Sequence, residues 1–366
     1  MLRLGAQQFS RAVRAARRVA RVNNECSFFT DRLRLVAFDG DASLEASDGA
    51  SRVVFPLDGD GDLEEMYLIG KELGSALLQP RKEEMVELSV VNGKSAVITR
   101  GRDSVHVQRE GLVMGEPFFD LPPDASMQEV GKWSGESFLE ALRYVLPACL
   151  PPSEHLRRNI YGIEVTRKRL LTTDGHRAHF AALSGWCRGA GRLPTTAAWF
   201  MKDTLSKDDE VLLFESEDRW AWHYGDKEVW VNRNYQPDYQ DMRQAQATPD
   251  LVDKHVRIEV MVPVVLDILQ ELQKAKAEIV QLTSRRESLR FVGKLEDHTE
   301  VARVKVKAER RAPSGTFRIL LNLKYLLEAF SIPGGKLATL TFGEENISPV
   351  GVSSPGFGAV IMPLRP

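Results

Sequence analysis

The sequence predicts an α+β protein built from three similar units, each with two short helices and a set of mainly antiparallel strands. One observation is a long-range repeat. Ile69–Leu77 and Asn322–Phe330 align on Lys71 and Lys324, and then also match Leu73 with Leu326 and Ala76 with Ala329, at an offset of 253 residues. Half that offset, about 126 residues, leads from Lys71 into Thr195–Lys202, another short amphipathic segment, which follows Pro194. A second observation gives the same period: helix candidates begin near Gln7, Gly135 and Val262, spaced by 128 and 127 residues, the last with Pro263 suited to a first helical turn.

Between these helices lie runs rich in β-branched and alternating apolar residues, which read as strands: Leu33–Phe38, Val86–Val91, Val211–Phe214 and Leu337–Phe342. Loop punctuation falls where units should meet, at Leu121-Pro122-Pro123-Asp124 and at Ala247-Thr248-Pro249-Asp250. The expected units are residues 1–124, 128–249 and 254–366.

The 366-residue chain, 43% hydrophobic and 27% charged, is long enough for more than one core, which excludes a disulfide-stapled miniprotein and global disorder. Its apolar stretches, such as Ile258–Leu266 with Glu259 inside it, fall well short of the ~20 residues that cross a bilayer, so no membrane partner is expected. Cys26, Cys149 and Cys187 are odd in number and widely spaced, which suggests neither a disulfide framework nor a zinc site. No cofactor or metal and a cytoplasmic location are the resulting expectations.

Net charge is only −2, but its distribution is uneven. No acidic residue precedes Glu25, while Arg3, Arg11, Arg14, Arg17, Arg18 and Arg21 crowd the start, a pattern shared with transit peptides. At 100° per residue Phe9, Ala12, Val13, Ala16, Val19 and Ala20 fall on one side of a helix, and Arg11, Arg14, Arg17, Arg18 and Arg21 gather on the other. Such a face suits either solvent or the phosphates of a polyanion.

Thr172-Thr173-Asp174-Gly175-His176-Arg177-Ala178-His179 concentrates polar chemistry in a few residues. An Asp beside two His residues admits a hydrolytic pair, Asp174 with His176, or a metal site. Against this, the spacing matches no ligand motif and Asp-Gly is first a turn signal between strands. The chain also ends unusually: Phe357–Pro366 is apolar almost to its last residue, where a frayed tail is polar. Val360 and Ile361 suit a final core strand, whereas Met362 and Leu364 suit contact with another chain.

These segments together resemble the bacterial sliding clamp family, the beta subunit of DNA polymerase III. The resemblance lies in Thr173–Arg177, in Asn234-Tyr235-Gln236-Pro237-Asp238-Tyr239, in the Leu321–Ala329 helix and in the ending Val360–Arg365, which stand in the family's order and spacing. It covers essentially the whole chain and is thinnest in the first unit. It implies three clamp domains and a head-to-tail homodimer closing a ring around duplex DNA. It also implies no catalysis, and partners (a DNA polymerase and clamp-loader subunits) that dock short linear peptides between the second and third domains.

By matching motifs, the resemblance lines that peptide pocket with Ile160, Thr173, Gly175, His176, Arg177, Pro237, Met242, Val360, Met362, Pro363, Leu364 and Arg365. It assigns DNA contact, independent of sequence, to Arg11, Arg14, Arg18, Arg21, Lys71, Arg143, Lys202 and Lys324. The chain departs from the family at Ala178, where Leu is common, and at Gln240-Asp241, where a basic residue is common; a shift in partner preference is expected. On the expected ring-closing strand Val105 and Val107 stand where an aromatic residue is usual. The alternative is a clamp-like interaction protein that keeps the pocket without encircling DNA.

Overall fold

The computed structural model describes residues 1–20, 32–77, 80–91, 95–110, 126–149, 162–233, 256–285, 288–307, 309–311, 317–343 and 348–364. It is an α+β fold in which helices are few and short and the strand pairings among the described residues are antiparallel. Six α-helices occur among the described residues: α1 Ala6–Ala20, α2 Gly70–Ala76, α3 Gly135–Val145, α4 Thr195–Thr204, α5 Val262–Lys274 and α6 Leu323–Phe330. All lie where the repeat places them, two in each stretch of about 126 residues.

Local chemistry explains the helix boundaries. The α1 helix buries Phe9, Ala12, Val13, Ala16, Val19 and Ala20 and carries Arg17 and Arg18 in its last turn, where cations complement the carbonyl end of the helix dipole. Pro194 precedes α4, and Pro263 sits in the first turn of α5 where no amide hydrogen is needed. The Asn322 side chain caps α6 by accepting from the Tyr325 amide at 3.2 Å. In the strands, alternation does the same work: Arg32–Phe38 buries Leu33, Leu35 and Ala37 and turns the residues between them outward.

The chain forms two compact units, one from residues 1–139, 151–156 and 184–236, the other from residues 140–150, 157–183 and 237–366. In the first, a fourteen-stranded sheet passes without a break from the first repeat to the second, because Ser51–Leu57 pairs with Lys227–Asn232 through Val54 opposite Glu228 and Ser51 opposite Val231. Asp48 fastens the same junction. Its carboxylate accepts from the Ser51 amide at 2.7 Å and from the Thr196 hydroxyl on α4 at 2.6 Å. Between strands of the same sheet Trp133 stacks on Trp222 at 5.8 Å, with Phe138 of α3 tilted against both.

In the second unit one sheet runs in the order Ile163–Val165, Arg169–Thr173, Arg177–Ala182, Phe357–Ile361, Val350–Ser354, Leu337–Phe342, Val256–Met261 and Glu309–Arg311. Arg177–Ala182 pairs with Phe357–Ile361, so the second and third repeats also share a sheet. A smaller sheet runs Glu300–Lys307, Ser288–Lys294, Ile279–Arg285 and Phe317–Asn322. Sheets continuous across the sequence repeats are the physical reason that compactness divides this chain differently from its repeat.

Candidate nucleic-acid and peptide interfaces

The first candidate surface belongs to the first unit, where α1 packs on α4 and on α2. Arg11, Arg14 and Arg18 are exposed along α1, and Lys71 is exposed on α2. The sequence leaves this face without a counter-charge, but the fold brings one. Arg18 Nε lies 2.6 Å from Asp203 of α4, whose other carboxylate oxygen is 3.9 Å from Lys202 Nζ. Arg11 donates to the Thr204 carbonyl at 3.4 Å, covering one of the unpaired carbonyls that end α4. Arg14 has no ion-pair partner among the described residues. The Asp203 carboxylate thus lies near both Arg18 and Lys202, and Arg11 and Arg14 stand exposed on the same helix as Arg18.

Arg14, Arg17 and Arg18 also line a cleft of about 380 Å³ with Ser10, Val13, Gly74 and Leu77. Gly74 matters because a β-carbon there would lie 2.7 Å from Arg17 Nη1, so its missing side chain lets the guanidinium rest across α2. Arg143 and Lys324, assigned to DNA from the sequence, are exposed in the second unit. Arg21 lies outside the described residues.

The second candidate surface is the hairpin turn Asp174–His176 with the C-terminal strand beside it. Gly175 takes a positive φ of 86°, open to glycine without strain. Asp174 Oδ1 accepts from the His176 amide at 2.9 Å and the Arg177 amide at 3.0 Å, while Thr173 Oγ1 accepts from the Gly175 amide at 3.0 Å and donates to the Arg177 carbonyl at 2.5 Å. The polar run therefore first builds its own turn. His176 is left exposed above it.

Arg177 lies elsewhere. Its side chain is only 4% exposed, its Nε donates to Asp174 Oδ2 at 3.0 Å, and its Nη atoms reach Glu328 of α6 and the Pro147 carbonyl. The guanidinium also stacks 4.1 Å from the Tyr325 ring. Burial pulls the guanidinium below its ordinary pKa, against the raising effect of Asp174. Arg177, expected from the resemblance to line the peptide pocket, is buried here and ties the turn to α6 and to Pro147, and His176 is the exposed polar group of the turn.

His179 sits in the core of the second unit. It is fully buried, stacked 5.0 Å from Tyr144, with Nδ1 2.9 Å from the Tyr144 carbonyl. Burial pushes its pKa down to about 4. The described residues contain no group of three or more His, Cys, Asp or Glu placed to hold a metal, and no helix among them is long and apolar enough to cross a membrane.

The apolar tail is docked. Ala178 stands opposite Val360 and Arg177 opposite Ile361, after which the Met362 amide donates to the His176 carbonyl at 2.9 Å and the Leu364 amide to the Leu320 carbonyl at 2.8 Å. Val360 and Ile361 are buried, Pro363 and Leu364 half-buried, and Met362 remains 46% exposed. Thr173, Gly175, His176, Val360 and Met362 are thus brought together in one unit, where the turn meets the C-terminal strand. Ile160, Pro237, Met242 and Arg365 lie outside the described residues. Sequence reasoning missed Tyr325 and Glu328; their three-residue spacing on one helix face was the available signal.

No sequence-family model and no curated protein matches the chain. Solved structures do. The DNA polymerase III beta subunit of Thermotoga maritima superposes with a TM-score of 0.77 at 16% identity, covering all of both chains. The sliding clamp of Bartonella birtlesii, solved bound to griselimycin, gives 0.77 at 17% identity, again over all of both chains. Caulobacter crescentus pol III beta gives 0.74 at 18% identity with the same coverage. The chain has the fold of the bacterial DNA polymerase III beta sliding clamps along its whole length.

Proposed function

We propose that this protein is a divergent sliding clamp, with domains at 1–124, 128–249 and 254–366, that closes head to tail as a homodimer around duplex DNA. It carries no catalysis of its own and tethers a polymerase, and receives clamp-loader subunits, through short linear peptides. The observation that carries this reading is the joining of the Thr173–Arg177 turn to the C-terminal strand, with the tail held by the Met362 and Leu364 amides. An apolar C-terminus held in place beside exposed His176 offers a peptide both apolar contact and a polar partner.

Ring closure has support in two open strand edges. Asp103–Glu110 pairs along its length with Ser95–Arg100, but with Leu63–Ile69 only at Glu110 and Arg109. Glu300–Lys307 is the end strand of its sheet. Among the described residues each has backbone groups without a strand partner, which a strand from a second copy can satisfy. Val105, 42% exposed on the first of these strands, supplies apolar contact there, whereas Val107 is buried and does not.

Peptide binding tests the reading. Two or three apolar side chains buried at about 1.5–3 kcal/mol each, less the cost of ordering them, give micromolar affinity for a Gln-Leu-x-Leu-Phe type peptide. Calorimetry on the full chain is expected to show this, and a variant lacking residues 362–366 to show none while its melting temperature is nearly kept. No heat at high peptide concentration, with Leu restored at 178 and Arg at 241, would contradict the docking function. The alternative, a clamp-like interaction protein, predicts peptide binding by a monomer that shows no DNA contact.

A further inference from the structure

The basic face of the first unit contains an aromatic ring that phosphate contact does not require. Trp199 of α4 is half-buried, with the Arg18 guanidinium 5.3 Å and the Lys202 ammonium 4.4 Å from its ring centre. Asp203 holds Arg18 at 2.6 Å but reaches Lys202 only at 3.9 Å. Arg14 and Arg17 line the adjoining cleft with Arg18. A duplex backbone needs cations alone, whereas a basic track with a half-open indole is the chemistry that holds single-stranded nucleic acid, phosphates on the cations and a base on the ring.

We propose that Trp199 is a stacking platform for an unpaired base of single-stranded DNA, with Arg18 fixed beside it and Lys202 as the cation that changes partner. This rests on the DNA-facing reading of α1 and α4. Lys202 is the looser of the two cations, a flexible side chain at the limit of ion-pair distance from Asp203. An arriving phosphate draws its ammonium away from the indole, and the uncovered ring accepts the base. Arg18 cannot follow without breaking its short contact to Asp203, so it stays as the fixed edge of the platform. The face then holds a junction between duplex and single strand better than duplex alone.

The tryptophans make this measurable. Trp133, Trp220, Trp222 and Trp230 are buried, and Trp186 is 39% exposed, so in a Trp186→Phe protein Trp199 is the indole within reach of a ligand. Titrating that protein with an oligothymidylate of about 20 nucleotides is expected to quench its fluorescence, whereas a blunt duplex of the same length quenches little. In parallel, anisotropy of labelled DNA should show Trp199→Leu binding the oligothymidylate about 5-fold to 100-fold more weakly, with duplex affinity within about twofold of the parent. Trp199→Phe, which keeps a stackable ring, should fall between them. Binding of the oligothymidylate without quenching, or equal affinity in the Trp199→Leu and Trp199→Phe proteins, overturns the platform and leaves the duplex reading standing. Failure to bind either DNA overturns both.

Discussion

Arginine has opposite fates in the two candidate surfaces. On α1 of the first unit, Arg14 is exposed without an ion pair among the described residues, and Arg18 meets the Asp203 carboxylate while remaining itself exposed. In the second unit, Arg177 is sealed among Asp174, Glu328, the Pro147 carbonyl and the Tyr325 ring. An unspent guanidinium can bind a ligand, whereas a satisfied one can only hold structure. The first surface is therefore built to meet charge from outside. The second has used its charge internally and leaves half-exposed apolar side chains and one imidazole at its surface.

The largest effect that this contrast predicts is on stability. Replacing Arg177 by Ala leaves Asp174 and Glu328 beside an emptied site, and removing one partner from a buried pair costs about 3–5 kcal/mol. Urea unfolding of Arg177→Ala should show a destabilisation of that size, while Arg14→Ala leaves the midpoint unchanged. Equal midpoints for the two variants would break the distinction between spent and unspent arginines.

Acid comes next. His179 has a pKa of about 4 in the fold against an ordinary 6.5. Between those values the unfolded chain binds a proton that the folded chain refuses, so stability contributed by the neutral ring is full above pH 6.5 and declines as pH falls towards 4. The decline amounts to about 3 kcal/mol at most. A His179→Asn variant, whose Nδ2 takes the place of the imidazole Nδ1, can still donate to the Tyr144 carbonyl and should lack this part of the acid slope in thermal unfolding. A slope unchanged by the substitution contradicts the buried neutral ring.

Much of this architecture is legible in the sequence, and the parts that are not share one physical character. Helix positions follow from apolar spacing, as in Phe9, Ala12, Val13 and Ala16 on α1, and from the repeat that matches Lys71 with Lys324. The turn at Asp174-Gly175 follows from its residue types. What sequence cannot show is which charges meet: Arg177 and Glu328 are 151 residues apart in the chain, and Arg18 finds Asp203 only because α1 packs on α4. The strand Ser51–Leu57 carries no sign that it will pair with Lys227–Asn232 and merge two repeats into one sheet.

Smaller effects sharpen the account of the open face. Removing one protein–phosphate interaction lowers the slope of log affinity against log salt by about 0.9 on duplex DNA. Arg14→Ala is expected to remove about one such interaction, and the combined Arg11, Arg14 and Arg18 variant up to about three. An unchanged salt slope in the triple variant contradicts the placement of duplex on α1. The smallest expected change is in Gly74→Ala. Helix propensity favours Ala by about 1 kcal/mol, and the new β-carbon meets only the flexible end of Arg17. A stability gain below that value by urea unfolding, with Arg17 displaced, is the expected result, and a decrease would show that the guanidinium is held firmly across α2.

The central claim is that two copies close a ring, and the mass in solution tests it most directly. Multi-angle light scattering across a dilution series should give twice the chain mass of 41.1 kDa. Substituting Pro for Val301 on the open edge of Glu300–Lys307 should shift the protein to a single chain mass without unfolding it, since an edge strand tolerates Pro better than a central one. A parent protein that stays at 41.1 kDa at every concentration contradicts the ring.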